Sequence, residues 1–465
     1  MATYLSRQFT ADNTSRSIFT VSAWVKRSVL SSGQTVISAS TTSNFNDNII
    51  NFRSDNTIQV DNIASGSAAI EIITNRKFRD PSAWYHIVVA IDTTQSTIAD
   101  GVKLYVNGVR ETSYSSSTYN QSATFEIGRN GSTTAIGRYE SGSSQYFGGY
   151  ISNVHYIDGQ QKLPTDFGET DSTTGMWKPK TYAGTYGNNG FRLEFKNAGA
   201  LGTDTSGNSE TFTVNSAGTN AQVVDTPSNL FATMNSIDVG TNLSQTTFSE
   251  GNLKIVSAGT TTDTGDQIVS SMGFTKGKWY WEIKGVSNPD NIFWTVFTDV
   301  LGGERPYHDN YAYSFYGDGT GSASQIYESQ EGNQKGYGTD SNPCFSNNDI
   351  IQVAFDCDNY RLYIGKNGLW TDDNAAGGGT ITTGSAFNQS SPTGYYQIST
   401  AAAQAGFYRV AIVKAGSSVT YTAQVNFGNP SFAITSGNAD ANGHGNFEYA
   451  VPSGYFALCT LNKYG

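Results

Sequence analysis

The clearest pattern in the chain is an alternation of apolar and polar residues. In FTVSAWV, one set of alternate positions is apolar: Phe19, Val21, Ala23 and Val25. A period of two predicts a strand with one buried face. The segments TVISAS, NIINFRS, TIQV and AIEIIT follow, separated by Ser, Asn, Gly or Asp. Short strands with turn residues between them predict a β-sandwich or barrel.

Two phrases of the chain predict the same unit, a buried strand leading to a tight hairpin. WYHIVVAID (Trp84 to Asp92) is almost continuously apolar and precedes KLYVNG, whose Asn107-Gly108 pair favours a type I′ turn with positive φ at both residues. DIIQVAFD followed by RLYIGKNG repeats this order in the second half. A common sandwich plan for both halves is the simplest interpretation.

The length of 465 residues predicts more than one domain, because single cores stop growing at roughly 250 to 300 residues. We predict an all-β chain of two jelly-roll sandwiches, residues 1–170 and 250–465. Residues 171–249 are richer in Gly, Thr, Asn and Ser and are interpreted as a connector. This connector is expected to be partly structured, because its Trp, Tyr and Phe residues supply apolar area that a free linker does not need.

Composition and charge exclude several classes of function. The net charge of -11 provides no basic field for nucleic acid or for an anionic membrane surface. No apolar run reaches about 18 residues, so no membrane insertion is expected. The start MATYLSRQFT has no basic and apolar leader pattern, so we expect no signal peptide and folding inside a cell.

Several phrases resemble the laminin-G-like, concanavalin-type domain of tailed-phage structural proteins: YLSRQF, FTVSAWVKRS, WYHIVVAID, ADGVKLYVNGV and FGGYISNVHYIDGQ, over residues 3–168. GKWYWEI, DIIQVAFDCDNYRLYIGKNG, QVNFG and GYFALC, within residues 250–462, resemble a SPRY-type domain, which also has a concanavalin-like sandwich. The resemblance implies a phage virion protein exposed on a tail fibre, an appendage or the head. It further implies virion proteins as partners and assembly in the host cytoplasm. The missing leader pattern together with the 27 tyrosines, which imply a tyrosine-rich surface, predicts an oligomer.

The residues that carry enzymatic chemistry are sparse. No E-x-D-x-E run places catalytic carboxylates along one strand, and Glu282 in the strand pattern WEIK stands with only a lysine nearby. The four histidines, His86, His155, His308 and His444, are scattered singly. We therefore expect no enzymatic activity, although loops can still supply a carboxylate pair.

Loop residues supply candidates for ligand and metal binding. Glycans are recognised by aromatic faces beside Asp and Asn groups, which selects Tyr307, Asp309, Asn310, Tyr311, Tyr327, Tyr337, Trp370 and Asp372. Oxygen-rich loops that suit Ca²⁺ are residues 44–48, the loop with Asp204 and Asn208, and the loop with Asp440 and Asn442. Because Asp-Asn-Gly clusters are also ordinary turn chemistry, we expect no cofactor, with Ca²⁺ as the alternative.

Three hypotheses remain open from the sequence. The first is a structural and adhesive virion component whose lectin-like domains bind host-surface glycans or other virion proteins, in an oligomer. The second is a polysaccharide-degrading enzyme of the concanavalin-like group. The third is a pure protein-interaction protein, because sandwiches support many unrelated functions.

Overall fold

The computed structural model describes residues 3–42, 44–216, 221–239, 246–257, 267–289, 292–298, 312–316, 324–330, 333–340, 345–371, 387–397, 407–414 and 419–464. The chain divides into two compact units, Met1–Ser228 and Asn229–Gly465. Among these described residues, no helix has the length and apolar character needed to cross a membrane.

The described part of the first unit contains two large antiparallel sheets and a small two-stranded sheet, β13-β14. One has eight strands in the order β10-β6-β5-β4-β3-β11-β1-β16, and the other has six in the order β15-β12-β2-β7-β8-β9. In chain order the elements are β1 (Tyr4–Gln8), β2 (Ile18–Arg27), β3 (Gln34–Thr42), β4 (Phe45–Phe52), β5 (Thr57–Ala64), β6 (Ser67–Lys77), β7 (Trp84–Asp92), α1 (Ile98–Gly101), β8 (Val102–Val106), β9 (Val109–Arg110), β10 (Tyr114–Tyr119), β11 (Thr133–Ile136), β12 (Gly149–Asp158), a 3-10 turn (Pro164–Asp166), β13 (Gly168–Thr170), β14 (Trp177–Pro179), β15 (Phe191–Leu193) and β16 (Thr213–Asn215).

The core of the first unit follows the alternation of its strands. The alternate residues Phe19, Val21, Ala23 and Val25 of β2 point into the same apolar cluster as the apolar residues of β4 and β5. The hairpin between β8 and β9 has φ values of 50° at Asn107 and 80° at Gly108, as the sequence predicts for a type I′ turn. The prediction of an all-β chain built on sandwich sheets is confirmed.

The outer face of the six-stranded sheet is covered by the chain that follows β12. Phe167, Tyr182 and Tyr186 pack there with Val88 and Tyr105. The burial of β7 on both faces explains why its sequence is almost continuously apolar. Residues 171–228, which belong to the predicted connector, therefore supply apolar cover to the first unit.

Two buried histidines on this outer face are held neutral. Burial lowers the pKa values of His86 and His155 to about 3. Trp177 Nε1 donates to Nδ1 of His86 (2.9 Å), and because an indole nitrogen only donates, the proton of His86 resides on Nε2. Nε2 then donates to Oγ of Ser22 (2.8 Å). Both ring nitrogens are satisfied, so a neutral imidazole is stable there.

A buried ion pair holds the end of the covering segment. Lys26 Nζ lies 2.8 Å from an Asp225 oxygen, and both side chains are inaccessible to solvent. Trp84 Nε1 donates to the other oxygen of Asp225 (2.7 Å). Removing one partner of such a pair leaves an uncompensated buried charge, which costs about 3 to 5 kcal/mol.

The second unit, as far as it is described, contains three sheets. The largest follows the order β18-β19-β32-β21-β26-β27-β28-β29, with β30 beside β27 and β33 beside β21; the others are β17-β20-β31-β22-β23 and β24-β25. The elements are β17 (Met234–Val239), β18 (Thr246–Ser249), β19 (Lys254–Ser257), β20 (Gln267–Phe274), β21 (Lys278–Ser287), β22 (Ile292–Thr298), β23 (Ala312–Tyr316), β24 (Ser324–Gln330), β25 (Asn333–Asp340), β26 (Ile350–Asp356), β27 (Arg361–Lys366), β28 (Leu369–Thr371), β29 (Phe387–Gln389), β30 (Tyr396–Gln397), β31 (Tyr408–Lys414), β32 (Tyr421–Asn426), β33 (Phe456–Ala457) and α2 (Thr460–Tyr464).

The hairpin from β27 to β28 repeats the Asn-Gly turn of the first unit, with φ of 51° at Asn367 and 90° at Gly368. Trp279 and Trp281 of β21 are buried in the core of this unit, as their position in a strand pattern predicts. Residues 229–249, the remainder of the predicted connector, belong to this unit. The bounds predicted at residues 170 and 250 stay a prediction.

We predict that Trp177→Phe lowers the free energy of unfolding by about 1 to 3 kcal/mol, because Nδ1 of the buried His86 loses its only donor. Urea unfolding of the full chain measures the change. Met176→Leu, at an exposed neighbouring position, is the matched control and should change stability by less than about 0.5 kcal/mol. Equal stability of Trp177→Phe and wild type would contradict this assignment.

Candidate functional site

The outer face of the eight-stranded sheet carries polar side chains in register across neighbouring strands. Ser38 of β3 pairs with Asn48 of β4, Asn48 with Asp61 of β5, and Asp61 with Glu71 of β6. The residues that alternate with them on β5 are core residues, so these side chains point away from the core. We call this set the polar face; its residues are Thr35, Ser38, Asn48, Asn51, Gln59, Asp61 and Glu71.

A chain of side-chain hydrogen bonds crosses the polar face from β3 to β10. Thr35 donates to Asn51 (3.2 Å), and Asn51 donates to Oε1 of Gln59 (3.4 Å). Gln59 then donates to Oε2 of Glu71 (3.1 Å), whose Oε1 accepts from Ser116 of β10 (2.8 Å). These bonds restrict the rotamers of the side chains before any ligand arrives, which lowers the entropic cost of binding.

Asp61 is the most perturbed acid of the polar face. It is only 5 % exposed, and burial raises its pKa to about 6, against the opposing effect of hydrogen bonds from the Asn48 side chain and backbone. The negative charge of Glu71 raises this pKa further. Asn48 Nδ2 donates to both oxygens of Asp61 (3.0 and 3.2 Å). Oδ1 of Asn48, a residue 7 % exposed, accepts no hydrogen bond from the described residues.

One side of the polar face is bordered by the loop between β11 and β12. Ser38 Oγ donates to the backbone oxygen of Arg138 (2.9 Å) and accepts from the backbone N–H of Glu140 (2.9 Å). The hydroxyl of the half-buried Tyr139 donates to Asn46 Oδ1 (2.7 Å). An aromatic ring therefore stands next to the amide and carboxylate groups of the sheet.

The arrangement suits a ligand with many hydroxyl groups. Gln59, Glu71 and Ser116 are half-buried, so they are reachable from solvent. Amides offer donors and acceptors, while carboxylates accept only. A row of such groups on a rigid sheet can match successive hydroxyls of an extended chain of sugars.

A separate cavity of about 350 Å³ lies elsewhere in the first unit, beside Leu5, Tyr150 and Phe195. Its lining mixes apolar and polar side chains, and of its charged groups Glu194 is paired with Arg192 (2.9 Å) and Lys196 (2.7 Å), while Asp225 is paired with Lys26 (2.8 Å). The cavity therefore offers fewer available polar groups than the polar face.

Most of the predicted ligand-binding residues either lie outside the described residues or have side chains that are not described. Tyr307, Asp309, Asn310, Tyr311 and Asp372 lie outside the described residues. Tyr327 and Tyr337 lie on the paired strands β24 and β25, and their side chains are not described.

The expectation that Trp370 presents an exposed ring in a loop is wrong. Trp370 lies on β28, is only 3 % exposed and packs 6.3 Å from Tyr280 between ring centroids. Its ring has no open face for a sugar.

In the predicted calcium loops, the carboxylate and amide groups already form hydrogen bonds within the protein. Asp204 accepts four hydrogen bonds, including those from the backbone N–H groups of Arg192 and Glu210, while Asn208 donates to Gly187 and Gly190. Residues 45–48 form the start of strand β4, which corrects their interpretation as a loop. Among the described residues no group of three or more His, Cys, Asp or Glu side chains could hold a metal ion.

In the second unit, Asp440 accepts from the backbone N–H groups of Asn442, His444 and Ala457 and from Asn462 Nδ2. Asn442 donates its side-chain amide to Asn462 (2.9 Å). The donors around Asp440 are N–H groups that point at the carboxylate, which is an arrangement for stabilising a turn.

The strand-borne carboxylate Glu282 is also a structural anchor. It is buried and accepts from Tyr280, Asn426 and the backbone N–H groups of Glu448 and Tyr449 at 2.8 to 3.1 Å. Both oxygens are fully used, so Glu282 attaches the C-terminal segment to β21.

Comparisons with known proteins agree with the sandwich fold. The family model Laminin_G_3, described as the concanavalin A-like lectin/glucanases superfamily, matches residues 3–160. No curated protein matches the chain.

Solved structures similar to this chain include SPRY and carbohydrate-binding proteins. The SPRY domain of human HERC1 is 12 % identical (39 % of this chain, 91 % of that chain, TM-score 0.27). A putative carbohydrate binding protein from Bacteroides ovatus is 16 % identical (46 % and 56 %, TM-score 0.32). Domain 4 of AbnA, a GH43 arabinanase from Geobacillus stearothermophilus in complex with arabinotriose, is 20 % identical (33 % and 64 %, TM-score 0.24).

We predict that the stability of the wild type falls, relative to Asp61→Asn, as the pH rises from about 4 to about 6. The raised pKa means that native Asp61 holds its proton where unfolded Asp61 has lost it, so ionisation opposes folding in this window. The difference in the free energy of unfolding between the two proteins is expected to change by about 1 to 3 kcal/mol over this pH range. Urea unfolding of both proteins at pH 4, 5, 6 and 7 measures it, and a constant difference would contradict the shift.

Proposed function

We propose that the first unit binds glycans on the polar face and that the chain serves as an adhesive component of a phage virion. The observation that carries the binding proposal is the hydrogen-bonded row of polar side chains across five neighbouring strands. A lectin-type sandwich over residues 3–160 supports the choice of a carbohydrate as the ligand.

The site is proposed to bind without catalysis. Asp61 and Glu71 form a cross-strand carboxylate pair, and the raised pKa of Asp61 is a property of a general acid, so hydrolysis is the second candidate. Both oxygens of Asp61 already accept from Asn48, and little of the residue is exposed. A general acid must reach the glycosidic oxygen of the substrate. Because Asp61 is buried and bonded to Asn48, the arrangement favours binding over hydrolysis.

The virion assignment is supported by the resemblance of the sequence to tailed-phage structural proteins, with exposure on a tail fibre, an appendage or the head. Virion proteins are then its partners, and several copies assemble in the host cytoplasm. Many weak glycan sites on one particle give an avidity far above that of a single site.

We expect the full chain to bind members of a glycan array and Gln59→Ala to weaken that binding about tenfold or more. Gln59 contributes both a donor and an acceptor at the centre of the row, and one lost hydrogen bond of this kind corresponds to about that factor. Gln121→Ala, an exposed position outside the polar face, is the control. Unchanged affinity of Gln59→Ala would exclude the polar face, and released reducing ends would indicate hydrolysis.

We also expect labelled antibodies against the chain to decorate intact phage particles, and light scattering of the purified chain to give a mass above that of one copy. Electron microscopy of particles from the source phage tests the first expectation. A monomer that is absent from particles would contradict the virion proposal while leaving glycan binding open.

A further inference from the structure

The polar face contains two carboxylates and few positive charges. Asp61 and Glu71 lie directly opposite each other on β5 and β6, and among the described residues neither forms an ion pair. Arg53 is the nearest cation of the row, and its guanidinium is shared between Gln59 (3.5 Å) and Asp55 (3.9 Å). Arg138 at the border is bound to Glu140 (2.6 Å). Arg53 is therefore one cation beside two carboxylates: its charge lowers the pKa of Asp61, it also interacts with Asp55, and the balance of the face remains negative.

The same region contains an unsatisfied acceptor. Oδ1 of Asn48, in a residue more than nine-tenths buried, accepts no hydrogen bond from the described residues, although Nδ2 of the same amide is fixed by Asp61. A buried acceptor without a donor is costly, and a ligand that donates N–H or O–H groups removes that cost. Both observations select a ligand that donates hydrogen bonds and carries positive charge.

We infer that the polar face recognises an amino sugar, whose ammonium group is held at Glu71 between the two cross-strand carboxylates; this inference rests on the glycan-binding function proposed above. Glu71 is the half-buried member of the pair and makes the direct contact. Asp61, opposite Glu71 on the neighbouring strand, attracts the ammonium group through its negative charge. An ammonium group has three donors and can bond to Glu71 while neighbouring hydroxyls bond to Gln59.

The same charges exclude acidic polysaccharides. A uronic acid brings a third carboxylate to a face on which two already outnumber the single nearby guanidinium of Arg53, and like charges at short range oppose binding. An N-acetylated sugar keeps the ring and its hydroxyls but loses the charge. Three oligosaccharides of the same length therefore distinguish the effect of shape on affinity from the effect of charge. They are a glucosamine tetramer, its N-acetylated form and a galacturonic acid tetramer.

Calorimetry of the full chain with these tetramers tests the inference at neutral pH and low salt. We expect the glucosamine tetramer to bind about tenfold tighter than its N-acetylated form and the galacturonate to bind weakest. Glu71→Gln and Asp61→Asn should each reduce the ratio of the first two affinities to within about threefold. Asp12→Asn removes an exposed carboxylate outside the polar face and should leave the ratio unchanged. The ratio is measured within each protein, so a general loss of folded protein does not affect it.

Each other outcome has a distinct meaning. Equal or tighter binding of the N-acetylated tetramer, with no effect of Glu71→Gln on the ratio, overturns the amino-sugar inference and leaves glycan binding standing. Binding of Ca²⁺ alone that Glu71→Gln abolishes also overturns it, because the carboxylates then serve a metal ion. If none of the tetramers and no other glycan binds, the proposed function itself fails.

Discussion

The architecture of the first unit depends on the burial of both faces of its six-stranded sheet. The strands β2, β7 and β12 place apolar residues on the inner face, and β7 and β12 place Trp84, His86, Val88 and His155 on the outer face, where all four are buried. The chain after β12 must fold back to cover them. The covering segment is held by hydrogen bonds to the neutral histidines and by the Lys26–Asp225 ion pair. Polar interactions and apolar packing therefore both stabilise it.

This covered sheet explains where a ligand can bind. Phe167, Tyr182 and Tyr186 cover the centre of the six-stranded sheet on its outer side, whereas the polar face of the eight-stranded sheet has two half-buried side chains, Gln59 and Glu71, beside five buried ones. Under the proposed function, the six-stranded sheet contributes stability and the eight-stranded sheet carries the ligand-binding face. Composition indicates this cover only for β7, which is apolar on both faces; β2 has polar alternate residues and is nevertheless buried on both faces, so its sequence predicts one buried face where the structure has two.

Carboxylates in both units separate into two types by their hydrogen-bond donors. Asp158, Asp204 and Asp440 accept mainly from backbone N–H groups, Glu282 accepts equally from backbone and side-chain donors, and each of them fixes a turn or a distant segment. Glu71 accepts only from side chains, and Asp61 takes all but one of its bonds from the Asn48 side chain. Backbone donors indicate a structural anchor. A half-buried carboxylate such as Glu71 can exchange side-chain donors for a ligand without a change in the backbone, whereas Asp225, bound by Lys26 and Trp84, is buried and remains an anchor. The charge selectivity proposed above rests on this exchange at Glu71.

The sequence by itself determined the fold class, because alternation, apolar runs and Asn-Gly pairs are local signals that each strand and hairpin obeys. It also contained the polar residues of the candidate site, as Gln59 and Asp61 within TIQVDN and Glu71 within AIEIIT. Only the tertiary structure decided that these residues form one row, because strand register joins positions from separate segments and no local pattern specifies it. Likewise, Trp370 has a sequence neighbourhood that suits a binding site, and only packing against distant strands shows that it is buried. Burial and hydrogen-bond partners depend on contacts across the whole unit, which a linear pattern does not encode.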